Sequence, residues 1–413
     1  MNLELQQISK TVGSETHLYP LSLRLEEGKM NVLLGPTQAG KTSLMRIMAG
    51  LDQPDSGRVL VDGKDVTGVP VRDRKLAMVY QQFINYPGLS VFENIAAPLR
   101  IARCPAAEIR QRVQAMAEKL HIEHLLQRLP GELSGGQQQR TALARALVKR
   151  ASLVLLDEPL VNLDYKLREE LREELLTLFT DGATTVVYAT TEPQEALLLG
   201  GHTFVLDAGR LLQAGPTLAT YNAPNSVRAS AIFNDPPMNL LPATVLGSSA
   251  VRLEDGTELP LPGRNLALTA GQSCRIGVRC HHLRMLPATG NPATTASGAG
   301  SDASLGAATI APASVDNAGN TITADVGATN VSVSAINAKP VVLDCLLDLA
   351  ELSGSETYLH LHHGSVLLVA QWPGVHDLPL DAKLRVVLQP AEVFVFDSDG
   401  ALASAPVGTG QGA

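Results

Sequence analysis

Eight residues, GPTQAGKT from Gly35 to Thr42, lie between an apolar β-rich run, NVLL, and a helix-patterned run, SLMRIMAG. Few folds accept that context. Glycines let backbone N–H groups turn inward around an anion, and the following helix adds the positive end of its dipole. A loop of this kind hangs from the carboxyl end of a buried strand, so the chain is expected to contain an α/β layer of parallel strands. Gly35, Pro36, Thr37, Gln38, Ala39, Gly40, Lys41 and Thr42, with Ser43 behind them, are the candidates for holding a nucleotide. Lys41 can neutralise the β and γ phosphates, and the Thr42 hydroxyl can ligate Mg²⁺.

About 120 residues later comes LVLLDEP, Leu153 to Pro159. Four apolar residues make a buried strand, Asp157 at its end can hold Mg²⁺, and Glu158 is placed to act as general base on an attacking water. Between these two motifs stands LSGGQQQR, Leu133 to Arg140, directly before a helix-patterned run. Ser134, Gly135, Gly136 and Gln137 therefore build a second anion-binding helix N-terminus. One nucleotide site needs one cradle on its own chain, so the second is expected to serve a nucleotide held by a neighbouring subunit.

Up to about residue 235, β-rich runs alternate with longer amphipathic stretches, and residues 87–150 read as a helical insertion. From 236 to 397 the pattern changes to short alternating segments separated by Gly, Pro and Asp, the texture of an all-β barrel. Residues 287–338, rich in Ala, Gly, Ser, Thr and Asn, interrupt that pattern as a flexible insertion, and 398–413 read as a flexible tail. A formal net charge of -8 argues against a nucleic-acid binder. The start of the chain has no secretory pattern and no stretch is long and apolar enough to span a membrane, so a cytosolic chain that docks on a membrane protein is expected. Cys104, Cys274, Cys280 and Cys345 read as reduced thiols. Cys280, His281 and His282, with His360, His362 and His363, hint at a metal site. Strand alternation would put His281 and His282 on opposite faces, so exposed strand histidines are expected instead.

With the three motifs in this order, the chain resembles the nucleotide-binding subunits of ABC transporters, and within them the ATPases of bacterial carbohydrate importers. VYQQFINYPGLSVFENIAAPL (Val79 to Leu99) resembles the Q-loop region, with Gln81 as the γ-phosphate and Mg²⁺ sensor, and LVNLDYKLR (Leu160 to Arg168) resembles the D-loop, with Asp164 facing a partner. DPPMNLLPATV, IGVRCHHL, LSGSETYLHL and VFVFD resemble the C-terminal regulatory domain of that subfamily. The resemblance implies an α/β P-loop NTPase (ABC ATPase) with a helical subdomain, followed by an all-β OB-like regulatory domain. It implies ATP and Mg²⁺ as cofactors, and two ATPase domains closing head to tail so that each ATP lies between one P-loop and the other's signature. Permease subunits and a periplasmic or lipid-anchored solute-binding protein are the implied partners, and the cytoplasmic face of the inner membrane is the implied place. Tyr86, Pro87, Leu89, Val91 and Phe92 are expected near the permease, with ordinary core packing an equal alternative for Val91 and Phe92. The implied cargo is a small sugar, polyol or glycerol-like solute.

Two positions depart from the family. In VVYATTEPQEAL, Thr191 stands where the switch histidine belongs, Glu192 takes the place of the following aspartate, and Pro193 stands where Gln is usual. A threonine hydroxyl reaches less far than an imidazole and carries no charge, and losing one positioned electrostatic donor costs roughly 10²- to 10³-fold in rate. Val12 stands where the family stacks an aromatic on adenine, a contact worth roughly 1–3 kcal/mol per base; His17 or Tyr19 is the substitute at hand. Both departures fall on the site built around this chain's own P-loop, while Ser134 to Gln137 and Asp164 keep the family pattern. An unlike second ATPase is therefore expected over a homodimer, this chain's own site turning over slowly. The competing reading is a mainly regulatory nucleotide-binding subunit that completes the site of another ATPase.

Overall fold

The computed structural model describes residues 1–82, 84–161, 165–179, 182–286 and 339–406. Asp164, the 287–338 segment and the last seven residues lie outside the described residues. The chain divides into two compact units: Met1–Leu240 with Ser273–Arg279 and the chain from Phe394 on, and Leu241–Gln272 with Cys280–Val393.

The first unit opens with β1 (Leu3–Val12) and β2 (Glu15–Arg24), which pair antiparallel. Next come β3 (Met30–Leu34), α1 (Lys41–Ala49), β4 (Ser56–Val61), β5 (Lys64–Asp65) and β6 (Leu76–Val79). Three helices follow, α2 (Val91–Ile101), α3 (Ala106–Lys119) and α4 (Gly135–Leu147). The chain then returns through β7 (Leu153–Asp157), α5 (Tyr165–Leu178), β8 (Thr185–Thr190), α6 (Pro193–Leu199), β9 (His202–Asp207) and β10 (Arg210–Pro216), ending in α7 (Thr217–Asn222) and α8 (Val227–Phe233).

Two sheets result, one ordered β2-β1-β4-β5 and one ordered β10-β9-β3-β8-β7-β6. In the larger sheet β9, β3, β8, β7 and β6 run parallel, and only β10 turns back. Strands covered on both faces need apolar residues on both, which is why β7 and β8 read as continuous apolar runs rather than alternating ones. Val154, Leu156, Val186 and Tyr188 face one core, shared with α2, α3, α4 and α5. Leu153, Leu155, Val187 and Ala189 face the other, shared with α1 and the smaller sheet. Register places Leu34, Thr190, Ala189 and Asp157 at adjacent strand ends, so the loops that follow them open on one edge of the sheet.

In the second unit β11 (Asn239–Gly247) pairs with β12 (Ala250–Leu253), and β12 with β13 (Glu258–Pro260). After β14 (Ser273–Val278), which belongs to the first unit, come β15 (Arg284–Met285), β16 (Val341–Leu352), β17 (Glu356–His363), β18 (Val366–Pro373) and β19 (Lys383–Leu388). These five exclude β14 and form an antiparallel sheet ordered β15-β19-β16-β17-β18. The single boundary expected near 235 gives way to four changes of unit along the chain, after Leu240, Gln272, Arg279 and Val393. Ser273–Val278 pairs with β20 (Phe394–Phe396), and Phe394 and Phe396 close over Met238 beside Val227 and Leu240, which draws these segments into the first unit.

Cys280–His282 forms one turn of 3₁₀ helix, not strand. The His281 and His282 rings meet edge to face with centroids 4.4 Å apart, correcting the expectation of opposite faces. His360 lies 3.5 Å from Glu351 and His362 2.6 Å from Asp348, so these strand histidines pair with acids across β16 and β17.

Candidate functional site

The loop after β3 is shaped by close approach. A Cβ at Gly35 would lie 2.3 Å from the Leu206 carbonyl oxygen, and Gly40 has φ +96°, a left-handed conformation that favours glycine. Gly40 caps α1 with no side-chain hydrogen bond, and the first turn holds no acidic residue. The N–H groups of that turn are thus offered to an anion rather than to a capping side chain. Lys41 is 4% exposed, and its Nζ donates to the carbonyls of Gly35 at 2.8 Å and Pro36 at 3.1 Å. Burial depresses its ammonium below the ordinary value, against the pull of Glu158.

Asp157, at the end of β7, is 2% exposed and accepts from the Thr42 hydroxyl at 3.2 Å. Burial pushes its carboxyl above the usual range, opposed by that hydrogen bond. An Oγ and a carboxylate so close offer the oxygen donors a hard cation such as Mg²⁺ requires, and the residues fit that ion. Glu158 follows with φ +47°, an unusual backbone conformation for glutamate that aims its side chain back at the P-loop. Its carboxylate lies 3.2 Å from Lys41 Nζ and accepts from Gln81 Nε2 at 2.9 Å.

The third wall is the turn after β8. Gly35 N–H donates to the Thr190 carbonyl at 3.3 Å, and Glu158 N–H donates to the Ala189 carbonyl at 3.1 Å. Thr191 follows on directly, at the junction of the two loops. The turn is held from behind: buried Glu195 accepts from the Thr190 hydroxyl at 2.5 Å and from the Tyr188 hydroxyl at 3.2 Å, and burial raises its carboxyl. Arg168 on α5 grips Glu192 with contacts of 2.7 and 3.0 Å. Sequence reasoning had not given Glu195 or Arg168 any part. An acid within the apolar face of a short helix, five residues after Thr190, was the signal available.

A cavity of about 770 Å³ opens beside Lys41, Thr42 and Ser43 and runs to Glu15, Thr16, His17 and Tyr19 on β2. Val12 is 51% exposed at the end of β1 and is not among its lining residues. Ser134 stands at the exposed start of α4 in a reciprocal cap: Gln137 N–H donates to the Ser134 hydroxyl at 3.4 Å, and Ser134 N–H donates to Gln137 Oε1 at 3.0 Å. No acid occupies the first turn of α4, and a Cβ at Gly135 would meet nothing within 4 Å. The signature thus presents outward a helix N-terminus in which the Ser134 hydroxyl takes the Gln137 N–H and the first turn carries no acid. Of the five residues expected at a membrane partner, Tyr86 and Pro87 are exposed and Leu89 half-buried. Val91 is fully buried and Phe92 packs on the same core, so these two are core residues.

Residues 18–161 match the family model described as ABC transporter, and residues 235–283 match the MalK OB fold domain. The chain is 36% identical over 294 residues to an uncharacterized ABC transporter ATP-binding protein of Sinorhizobium fredii, covering 71% of this chain and 79% of that one. It is 37% identical over 299 residues to the maltose/maltodextrin import ATP-binding protein MalK of Yersinia pestis bv. Antiqua, covering 71% and 80%. Identity to the sn-glycerol-3-phosphate import ATP-binding protein UgpC of Paraburkholderia xenovorans is 38% over 289 residues, covering 68% and 79%.

Proposed function

Because the chain belongs to the ABC transporter ATP-binding family, with an ATPase domain and a C-terminal OB-fold domain, we propose that it energises import of a small carbohydrate, polyol or glycerol-like solute. The observation that carries this reading is the convergence of Lys41, Asp157 and Glu158 on one edge of the sheet. The names of the maltose/maltodextrin and glycerol-3-phosphate relatives support the solute class.

ATP and Mg²⁺ are the cofactors of this family. Mg²⁺, when bound, neutralises charge on the phosphates. Thr42 and Asp157 would hold it, and Lys41 and the N–H groups opening α1 bind and orient the phosphates. Glu158 takes the proton from the attacking water on a carboxylate oxygen, while Gln81 holds that carboxylate in place. Thr191 would donate one neutral hydrogen bond toward the γ-phosphate. The subunit works at the cytoplasmic face of the inner membrane, docked on permease subunits that receive solute from a binding protein, with exposed Tyr86 and Pro87 on the docking side. Replacing Glu158 by Gln in cells should abolish solute uptake while the subunit still assembles with the permease; uptake that persists would show that this chain's own hydrolysis does not drive transport and leave it as a nucleotide-binding partner of another ATPase.

A second reading concerns pairing. Thr191 in the switch position and Val12 in the adenine position both weaken this chain's own site, whereas the Ser134–Gln137 cap is intact. We infer that this chain closes against an unlike second ATPase and turns over slowly at its own P-loop. The relatives' names say nothing of an unlike partner. Vigorous hydrolysis by the purified chain alone would sink this reading and leave the homodimer.

A further inference from the structure

We propose that His17 on β2 is the platform on which the base of the bound nucleotide stacks, in place of the aromatic residue missing at Val12. This rests on the reading of the P-loop cavity as the ATP site. The phosphate end of that cavity is fixed by Gly40, Lys41, Thr42 and Ser43, so the base must extend along the remaining wall, which Glu15, Thr16, His17 and Tyr19 supply. At about 770 Å³ the cavity lies within the roughly 300–1,000 Å³ of small-molecule sites.

Among the described residues, two rings line that wall. Tyr19 has one face already covered by the Arg210 guanidinium, 3.7 Å from the ring centroid. His17 is held differently. Its Nδ1 lies 3.1 Å from the Ser43 hydroxyl, so the ring is tethered by its edge to the first turn of α1, next to the phosphate cradle. An edge tether fixes a ring without using its faces, and a planar face beside the cradle is what a purine needs for stacking. Two glycines let β2 come so near. A Cβ at Gly40 would lie 2.9 Å from the His17 carbonyl oxygen, and one at Gly209 would lie 2.5 Å from it, both at positive φ.

The test measures binding of Mg-ATP, Mg-GTP and inorganic tripolyphosphate to the full chain by calorimetry. His17→Ala should weaken both nucleotides roughly fivefold to a hundredfold and leave tripolyphosphate unchanged, since stacking is tolerant of the base and absent for phosphate alone. His17→Phe should restore nucleotide binding. Equal loss of nucleotide and tripolyphosphate in His17→Ala, or nucleotide binding unchanged in it, overturns the assignment while leaving the ATP site standing. Failure of the unaltered chain to bind ATP would overturn the site reading itself.

Discussion

The Lys41 ammonium and the Glu158 carboxylate lie 3.2 Å apart, both largely withdrawn from water, and they come from two different loops of the sheet edge. The pair ties the group proposed to bind phosphate to the proposed general base. Glu158→Gln should lower ATP hydrolysis roughly 10²- to 10⁴-fold while ATP still binds. Lys41→Ala should instead remove binding, because the buried ammonium is the cation nearest the phosphate cradle. Steady-state hydrolysis alongside equilibrium ATP binding separates the two, and loss of binding in Glu158→Gln would contradict the division of roles.

Glu195 holds the switch turn from behind. Removing its carboxylate in Glu195→Ala leaves the buried hydroxyls of Thr190 and Tyr188 without their acceptor, which should cost about 2–4 kcal/mol of stability. The pH dependence has a definite sign. Burial raises the Glu195 carboxyl above its ordinary 4.5, so the folded chain keeps a proton that the unfolded chain releases. That contribution is fully present below 4.5 and is lost as pH rises through the raised value. In denaturant unfolding, the advantage of the native chain over Glu195→Gln should therefore shrink with rising pH across that window; an advantage that grows would reverse the assignment.

Much of this was legible beforehand because the P-loop, the LVLLDEP strand and the LSGGQ helix start are local patterns whose spacing dictates strand, turn and helix. GPTQAGKT could be read because it is one contiguous run between strand and helix, although the contacts that require Gly35 and Gly40, at Leu206 and at His17 and Leu18, come from distant parts of the chain. The cavity wall was not legible in the same way. His17 lines it because Gly209, far along the chain, admits β2, and no local pattern near residue 17 encodes that approach. His281 and His282 were misplaced for a related reason: alternation reads as strand, yet a single 3₁₀ turn at Cys280–His282 overrides it. The domain boundary also followed long-range packing, Met238 beneath Phe394 and Phe396, rather than the change in texture after residue 235.

Arg264 in the second unit is buried, and its guanidinium donates to the carbonyls of Val393 at 2.7 Å, Pro390 at 3.0 Å and Ala391 at 3.1 Å. Burial alone lowers its pKa to about 10, which leaves it charged at neutral pH. Arg264→Met fills the space but abandons three acceptors, and it should destabilise this unit by about 2–4 kcal/mol. Limited proteolysis should then cut within 241–272 or 280–393 first. A variant as resistant as the native chain would show that water replaces the guanidinium at no cost.

Thr191 sits where two strand ends meet, one residue after the carbonyl that accepts from Gly35 and two after the one that accepts from Glu158. That backbone is already fixed, by Glu195 from behind and by the Arg168–Glu192 pair from α5. A longer side chain at 191 therefore starts from a positioned Cα. Thr191→His should raise the chain's own hydrolysis rate, by up to roughly 10²-fold if a missing charged donor is the limiting defect. The same substitution should leave ATP affinity nearly constant, because the imidazole acts on the γ-phosphate and water in the transition state rather than on the bound ground state. Hydrolysis measured at saturating ATP, with and without a candidate unlike ATPase, reads both effects. An unchanged rate with ATP bound would mean that turnover is limited elsewhere, and the argument for an unlike partner would then lose its main support.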